Sequence, residues 1–319
     1  MRYLVTGGAG FIGSNTVDEL VKRGNQVIVL DDLSTGNEDN LLSAASKIEF
    51  VLGTIADLSL MRNVCRGVDF VIHLAARTSV PRSVRDPLET NRVNVDGTLN
   101  ILSAARDARV KRVVFACSSS VYGETPTLPK RETMPPAPIS PYGVSKLAGE
   151  QYGFAFYKVY GLEFVSLRYF NVFGPRQNPN SPYSGVLSLF NSAIQKGEPV
   201  TIFGDGEQSR DFTYVRNIVE ANLLACEADA APGNAFNLGT ANRYTLNRTL
   251  DILEQICARP IERKYDSSRK GDIRDSLADI SRARQVLGYN PRIGFEDGLR
   301  RTFQWYAREH ASPQHHEAA

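Results

Sequence analysis

The sequence predicts an α/β protein, a doubly wound parallel sheet with a smaller C-terminal α/β region. Three observations carry that prediction. Short apolar runs alternate with helical patterns up to about Tyr169, a glycine-rich turn joins the first run to the first helix, and the composition changes after residue 170. Alternation of this kind places parallel strands in one sheet with helices on both faces.

The predicted strands are residues 3–6, 26–30, 48–52, 70–73, 112–117 and 163–167. The clearest helical patterns cover 11–23 and 95–108. Residues 171–185 are rich in Gly, Pro and Asn, which predicts a long loop at a domain edge. The reading is a first domain over 1–173, a second over 174–312 and a polar tail over 313–319. A segment near 211–240 is expected to return to the first domain.

Lys plus Arg number 37 and Asp plus Glu 35, a net charge of +2 that excludes a strongly basic nucleic-acid binder or an acidic-membrane binder. Cys65, Cys117, Cys226 and Cys257 are far apart and form no CxxC pair, so neither a disulfide framework nor a zinc site is expected. His315 and His316 lie in the polar tail, and no metal is expected. No apolar run is long enough for a membrane span. Residues 2–6 read directly as a strand without a basic-then-apolar leader, so a reducing, cytoplasmic setting is expected.

Gly7, Gly10 and Gly13 stand between the first strand and the first helix. Glycines there permit a tight turn and let backbone N–H groups approach a pyrophosphate at a helix N-terminus, as in a Rossmann-type dinucleotide site. Asp31 ends the second strand, eighteen positions after Gly13, where a carboxylate accepts ribose hydroxyls. Its charge would meet a 2′-phosphate, and no Arg occurs between Arg23 and Arg62 to offset it. The expected cofactor is therefore NAD rather than NADP. Asp32 has a second reading as a plain turn cap.

Ser140-Pro141 reads as a helix start, which puts Tyr142 and Lys146 four apart on one face. A lysine ammonium stabilises a phenolate, so Lys146 is expected to pull the Tyr142 pKa toward neutrality and make it a general base. The strand over 112–117 ends in Ser118-Ser119-Ser120, at the carboxyl end of the sheet where α/β folds bind ligands. One of these hydroxyls is expected to share a proton with Tyr142, and another only to satisfy the strand end.

Taken together, TGGAGFIG at 6–13, HLAA at 73–76, SSSVYG at 118–123, SPYGVSK at 140–146 and LRYFNVFGPRQ at 167–177 resemble the NAD-dependent sugar epimerase/dehydratase family of extended short-chain dehydrogenases/reductases. The resemblance continues through Asp205-Gly206, Arg210-Asp211-Phe212, Gly271-Asp272 and Ala278-Asp279-Ile280. It implies a Rossmann domain with tightly bound NAD, a smaller domain for a nucleotide sugar, and a homodimer. For the cofactor it implies Gly7, Gly10, Phe11, Ile12, Gly13, Asp31, Asp32, Ser34, Thr35 and Gly36. Further along it implies Thr54, Ile55, Leu74, Ala75, Ala76, Asn94, Tyr142, Lys146 and Tyr169. Thr54 stands where similar proteins often carry Asp. Ser118 matches the catalytic serine beside Tyr142 and Lys146. For the sugar and its nucleotide it implies Ser118, Tyr142, Asn171, Gly185, Val186, Phe190, Thr201, Phe203, Arg210, Arg269, Asp272 and Ser276.

Within that family the residues favour a UDP-hexose 4-epimerase. A 4,6-dehydratase would carry an Asp-Glu pair beside the catalytic hydroxyl, and a decarboxylase Glu in place of Ser120, whereas this chain has only serines. Residues 177–184 look most like epimerases that accept N-acetylated UDP-hexoses. Ser276 matches the position where a large Tyr excludes the N-acetyl group and a small residue admits it. The alternative is a UDP-glucuronate 4-epimerase or another nucleotide-sugar epimerase or decarboxylase, and the uronate reading is weakened because Lys196 is the only Lys or Arg between Arg176 and Arg210. A non-catalytic NAD(H)-binding sensor is the alternative of another class, and such relatives lose the Tyr or Lys kept here. The dimer seam is expected on helices 95–108 and 141–160, through Leu147, Phe154 and Tyr157.

Overall fold

The computed structural model describes residues 1–179, 185–268 and 274–311. Arg269 and Asp272, both implied at the nucleotide sugar, lie outside the described residues. The chain begins β1 (Arg2–Thr6), α1 (Phe11–Lys22), β2 (Gln26–Asp31), β3 (Ile48–Leu52), α2 (Leu58–Val64) and β4 (Phe70–His73). It continues through α3 (Val80–Arg85), α4 (Pro87–Asn91), α5 (Gly97–Asp107), β5 (Arg112–Ser118), α6 (Pro141–Tyr160) and β6 (Glu163–Tyr169). The C-terminal half holds β7 (Val172–Phe173), α7 (Val186–Lys196), β8 (Val200–Phe203), β9 (Ser209–Arg210) and β10 (Thr213–Tyr214). It closes with α8 (Val215–Glu227), β11 (Asn234–Leu238), β12 (Tyr244–Thr245), α9 (Leu246–Cys257), β13 (Arg263–Asp266), α10 (Ser281–Leu287) and α11 (Phe295–Ala311).

Seven strands form one parallel sheet in the order β11-β6-β5-β4-β1-β2-β3. Strand β4 is buried at every position, as a parallel strand covered on both faces requires. The order reverses beside β1, and the cleft described below opens at the carboxyl ends of these strands. The six predicted strands all appear in this sheet, with ends that differ by at most two residues. The helix predicted over 95–108 begins instead with a π-helical turn over Arg92–Asp96 and becomes regular from Gly97.

The expected loop over 171–185 carries strand β7, which pairs in parallel with β10. Val172 and Phe173 supply two apolar groups, and Phe173 seats a second core: its ring meets Phe212, Tyr214 and Phe295 at centroid distances of 6.3, 5.7 and 5.5 Å. The first core receives Phe236 and Leu238 from β11. It also receives Ala278, Ile280, Ala283, Leu287 and Tyr289, a late return that no pattern in the sequence announced.

Helix α6 lies close on the sheet because two of its inward positions are glycines. A Cβ at Gly149 would fall 2.7 Å from the Phe115 ring, and one at Gly153 2.0 Å from the Phe164 ring. Between them Glu150 takes both prongs of the Arg168 fork at 2.6 and 2.9 Å, plus the Ser166 hydroxyl at 2.7 Å. Arg168 also donates to the Tyr122 hydroxyl at 2.8 Å, and Tyr122 to Asn237 Oδ1 at 2.7 Å. This buried network ties α6, β6, β11 and the turn after β5 into one block.

Removing one member of such a pair strands a charge in the interior. Glu150→Ala is expected to lower stability by about 3–5 kcal/mol in urea denaturation, and a combined Glu150→Leu, Arg168→Met exchange to recover most of that loss.

Candidate active site

A cleft of about 1240 Å³ runs along the carboxyl ends of the sheet. At one end it is walled by Gly7, Gly10, Phe11, Ile12 and Gly13, then by Asp31, Asp32, Ser34, Thr35 and Gly36. Thr54, Ile55, Leu74, Ala75 and Ala76 follow, and Ser118, Tyr142, Lys146 and Tyr169 stand at the other end.

The glycine turn is built for close approach. Gly7 has φ +72°, and a Cβ there would fall 2.7 Å from Ala75 N. A Cβ at Gly13 would fall 2.0 Å from Gly7 O. Helix α1 starts at Gly10 with no side-chain cap, so its first-turn N–H groups face the cleft. Asp31 is buried, accepts Ala9 N–H and Leu33 N–H at 2.9 Å each, and has its carboxyl pushed up by burial. An open helix end, a bare glycine turn and a buried acceptor fit a dinucleotide. Thr54 accepts Ala56 N–H at 3.3 Å and keeps its hydroxyl proton for other partners.

A buried chain of hydrogen bonds sets the loop after β4. Thr98 donates its hydroxyl to Asn94 O at 2.6 Å, so toward His73 Nε2, 3.0 Å away, it can only accept. His73 Nδ1 therefore accepts from Thr6 Oγ1 at 2.7 Å, and Thr6 accepts Ala75 N–H at 3.3 Å. Burial holds this ring neutral, with a pKa of about 3. Asn94, implied as a cofactor contact, is not on the described cleft wall. Its amide is consumed by Arg77 N (2.7 Å), Arg77 O (3.1 Å) and Ser145 Oγ (2.9 Å), which makes it a strut between the β4 loop and α6.

Helix α6 starts as the sequence predicts, with Ser140 Oγ accepting Gly143 N–H at 3.1 Å and Pro141 in the first turn. Ser83 of α3 accepts Tyr142 N–H at 3.0 Å. Ser118 Oγ accepts from Ser120 N (3.2 Å) and Ser120 Oγ (2.9 Å), which leaves its own proton to donate. The expected pull of Lys146 on Tyr142 is not what the protein shows. Burial pushes the Tyr142 phenol up to about 12, and the Ser118 hydroxyl acts against that rise. Burial brings Lys146 down to about 8, and its ammonium donates to Ala116 O at 2.8 Å and lies over the Phe115 ring. The lysine is held by the sheet.

The implied sugar-side residues divide. Gly185 lines the described cleft with Ser118 and Tyr142, whereas Asn171, Val186, Phe190, Thr201, Phe203, Arg210 and Ser276 do not. Phe190 is consumed in the second core, and Thr201 is exposed on β8. Arg210 donates to Ser209 O and Arg274 O, and buried Ser276 donates its N–H to Ser209 O at 3.1 Å. The sequence reading missed Arg77, Thr78, Ser79, Arg82, Arg176, Trp305 and Glu309, all on the cleft wall. Arg77, Thr78 and Ser79 directly follow the HLAA motif, a signal that was available. Trp305 and Glu309 on α11 had none.

The family model of the NAD dependent epimerase/dehydratase family matches residues 3–239. The chain belongs to this family. A member from Mycolicibacterium smegmatis, a UDP-glucose 4-epimerase, is 40% identical over 310 residues, covering 96% of this chain and 98% of that protein. Among solved structures, a UDP-N-acetylglucosamine 4-epimerase from Methanobrevibacter ruminantium M1, in complex with UDP-N-acetylmuramic acid, superposes with a TM-score of 0.93 at 41% identity. It covers 97% of this chain and 98% of its own. A UDP-glucose 4-epimerase from Thermotoga maritima with UDP-glucose also reaches 0.93, at 40% identity and 98% and 100% coverage. Like the rest of the family, this epimerase/dehydratase is an NAD-dependent enzyme. Among the described residues no helix is long and apolar enough to cross a membrane.

A lysine whose pKa falls from 10.5 to about 8 on burial costs the folded protein stability while it stays charged. The unfolded chain binds the extra proton between those values, so stability rises with pH across that window. Lys146→Met is therefore expected to stabilise the cofactor-free protein at neutral pH by about 1–3 kcal/mol, an advantage that shrinks from pH 8 upward, read from denaturation at several pH values.

Proposed function

We propose that the protein is a UDP-hexose 4-epimerase that interconverts UDP-GlcNAc with UDP-GalNAc and UDP-Glc with UDP-Gal. The observation that carries this reading is the meeting of Ser118, Tyr142 and Lys146 at one end of the cleft whose other end is the glycine turn and Asp31. The carboxylates on the described wall are Asp31, Asp32, Asp39 and Glu309, which belong to the end of β2, the turns after it and α11. None is a neighbour of Ser118 in the chain. Elimination needs an acid/base pair beside the reacting carbons, whereas inversion at C4 needs a group that takes one proton and returns it.

Bound NAD supplies the acceptor and donor for the C4 hydrogen. Tyr142 Oη takes the proton of the C4 hydroxyl and gives it back once the 4-keto sugar has presented its other face. Ser118 donates to the same oxygens and steadies the charge on Tyr142. Lys146 keeps two N–H donors beyond the one on Ala116, with which it would hold the nicotinamide ribose.

Acceptance of the N-acetyl group rests on the family resemblance, which puts the small Ser276 at the gating position, and on the similarity to the Methanobrevibacter enzyme. A second reading, epimerisation of UDP-glucuronate, draws on Arg82, which lines the cleft beside Thr78 and Ser79. Incubation with UDP-Glc, UDP-GlcNAc and UDP-GlcA, with products read by proton NMR, separates them. The expected result is turnover of the first two, loss of about a hundredfold or more in Tyr142→Phe, and selective loss of the N-acetylated pair in Ser276→Tyr. Turnover of UDP-GlcA alone would replace the substrate assignment with the second reading.

The protein is further proposed to be a homodimer, with α6 in the seam. Leu147 and Phe154 are half-buried against the first core, and the Tyr157 ring packs beside Gly233. The exposed apolar groups of α6 are Val144, Tyr152, Tyr157, Val159 and Tyr160, and near its start stand Leu88 of α4, Val80 and Val84 of α3 and Ile139. By helical spacing Val144 and Tyr152 point away from the buried face of α6 that carries Lys146, Gly149, Glu150 and Gly153. Light scattering is expected to show a dimer for the natural chain and a monomer for a Leu88→Glu, Val144→Glu variant; a monomeric natural chain at micromolar concentration would sink this assignment.

A further inference from the structure

The adenosine end of the cleft carries a cation that β2 and its loop do not supply. Asp32 accepts the N–H of Ser34 at 3.0 Å and the Ser34 hydroxyl through Oδ1, and its Oδ2 lies 3.7 Å from Arg77 Nη2. The same nitrogen lies 3.5 Å from Glu89 Oε1. Glu89 is also gripped by the Arg92 fork at 2.7 and 2.9 Å, and Arg92, then Arg77, holds its carboxyl below the usual range. The buried Asn94 amide holds the Arg77 backbone at its N–H and its carbonyl. Its side chain is 17% exposed and lines the same cleft as Asp31 and Asp32.

We propose that Arg77 is a masked phosphate-binding group that sets the choice between NAD and its 2′-phosphorylated form. A guanidinium matches phosphate oxygens, but here its Nη2 is shared between the Asp32 and Glu89 carboxylates. Asp31 and Asp32 accept hydroxyls and repel a phosphate, which carries about one to two negative charges at neutral pH. Selectivity then rests on a charge balance rather than on steric exclusion. Removing the Asp32 charge both lowers the repulsion and frees Arg77 on the side facing the cleft, while Glu89 stays with Arg92. The argument concerns the dinucleotide alone and is independent of which sugar is epimerised.

The holoprotein is equilibrated with a mixture of NAD and NADP, and the bound dinucleotide is released with acid and quantified by mass spectrometry. The natural chain is expected to retain NAD. Asp32→Asn is expected to raise the bound NADP-to-NAD ratio by on the order of tenfold, less at high salt. Adding Arg77→Gln to that variant should return the ratio to near its starting value, and Arg77→Gln alone should push it below. Where Asp32→Asn does not fold, Asp32→Ser keeps an acceptor for Ser34 N–H and reads the same ratio. An unchanged ratio in the Asp32 variant, or a gain that survives loss of Arg77, overturns the proposal.

Discussion

The seating of α6 on the sheet, glycine against aromatic ring, is the contact on which the rest of the site depends. Gly149 and Gly153 let the helix axis approach Phe115 and Phe164 closely enough for Glu150 to meet Arg168 and for Lys146 to reach Ala116 O. The helix then has little freedom to slide or turn, because both movements would break a buried ion pair or drive a ring into backbone. Tyr142, one turn before Lys146, inherits that fixed position at the mouth of the cleft. A proton-transfer group with a rigid mount needs no reorganisation when the substrate arrives.

The same contact explains why the site is costly. Lys146 and Tyr142 are both pushed by burial toward their neutral forms, which is the opposite of what the proposed proton transfer uses. The block of Arg168, Glu150, Tyr122 and Asn237 beneath it fixes where α6 sits.

Much of this was legible in the sequence because the relevant signals are local. The six strands through β6 read from apolar runs, the dinucleotide turn from the spacing of Gly7, Gly10 and Gly13, and the start of α6 from Ser140-Pro141. What was not legible is what depends on distance in space. No pattern near Asp31 points to Arg77, because the partner arrives from the end of β4. The direction of the Tyr142 shift needed the depth of burial, which a YxxxK spacing does not contain. Of the seam residues read on α6, Leu147 and Phe154 pack partly against the core while Tyr157 stays exposed; periodicity alone does not say which of two apolar faces is covered. Short β7 was hidden among glycines and prolines, and the return at Ala278 to Tyr289 became visible only through its packing.

Strand β11 occupies the outer position of the sheet beside β6, yet it is specified 65 residues later, from Asn234 to Leu238 against Glu163 to Tyr169. During synthesis the first six strands leave the ribosome with β6 as a bare edge. Its backbone donors and acceptors then wait for a partner, and any other chain with an open edge can take that place. The Tyr122 hydroxyl also waits, since its acceptor Asn237 arrives with the same late strand. Nascent chains interrupted before residue 238 therefore present a polar, sticky flank, and successful biogenesis turns on how quickly the last strand docks.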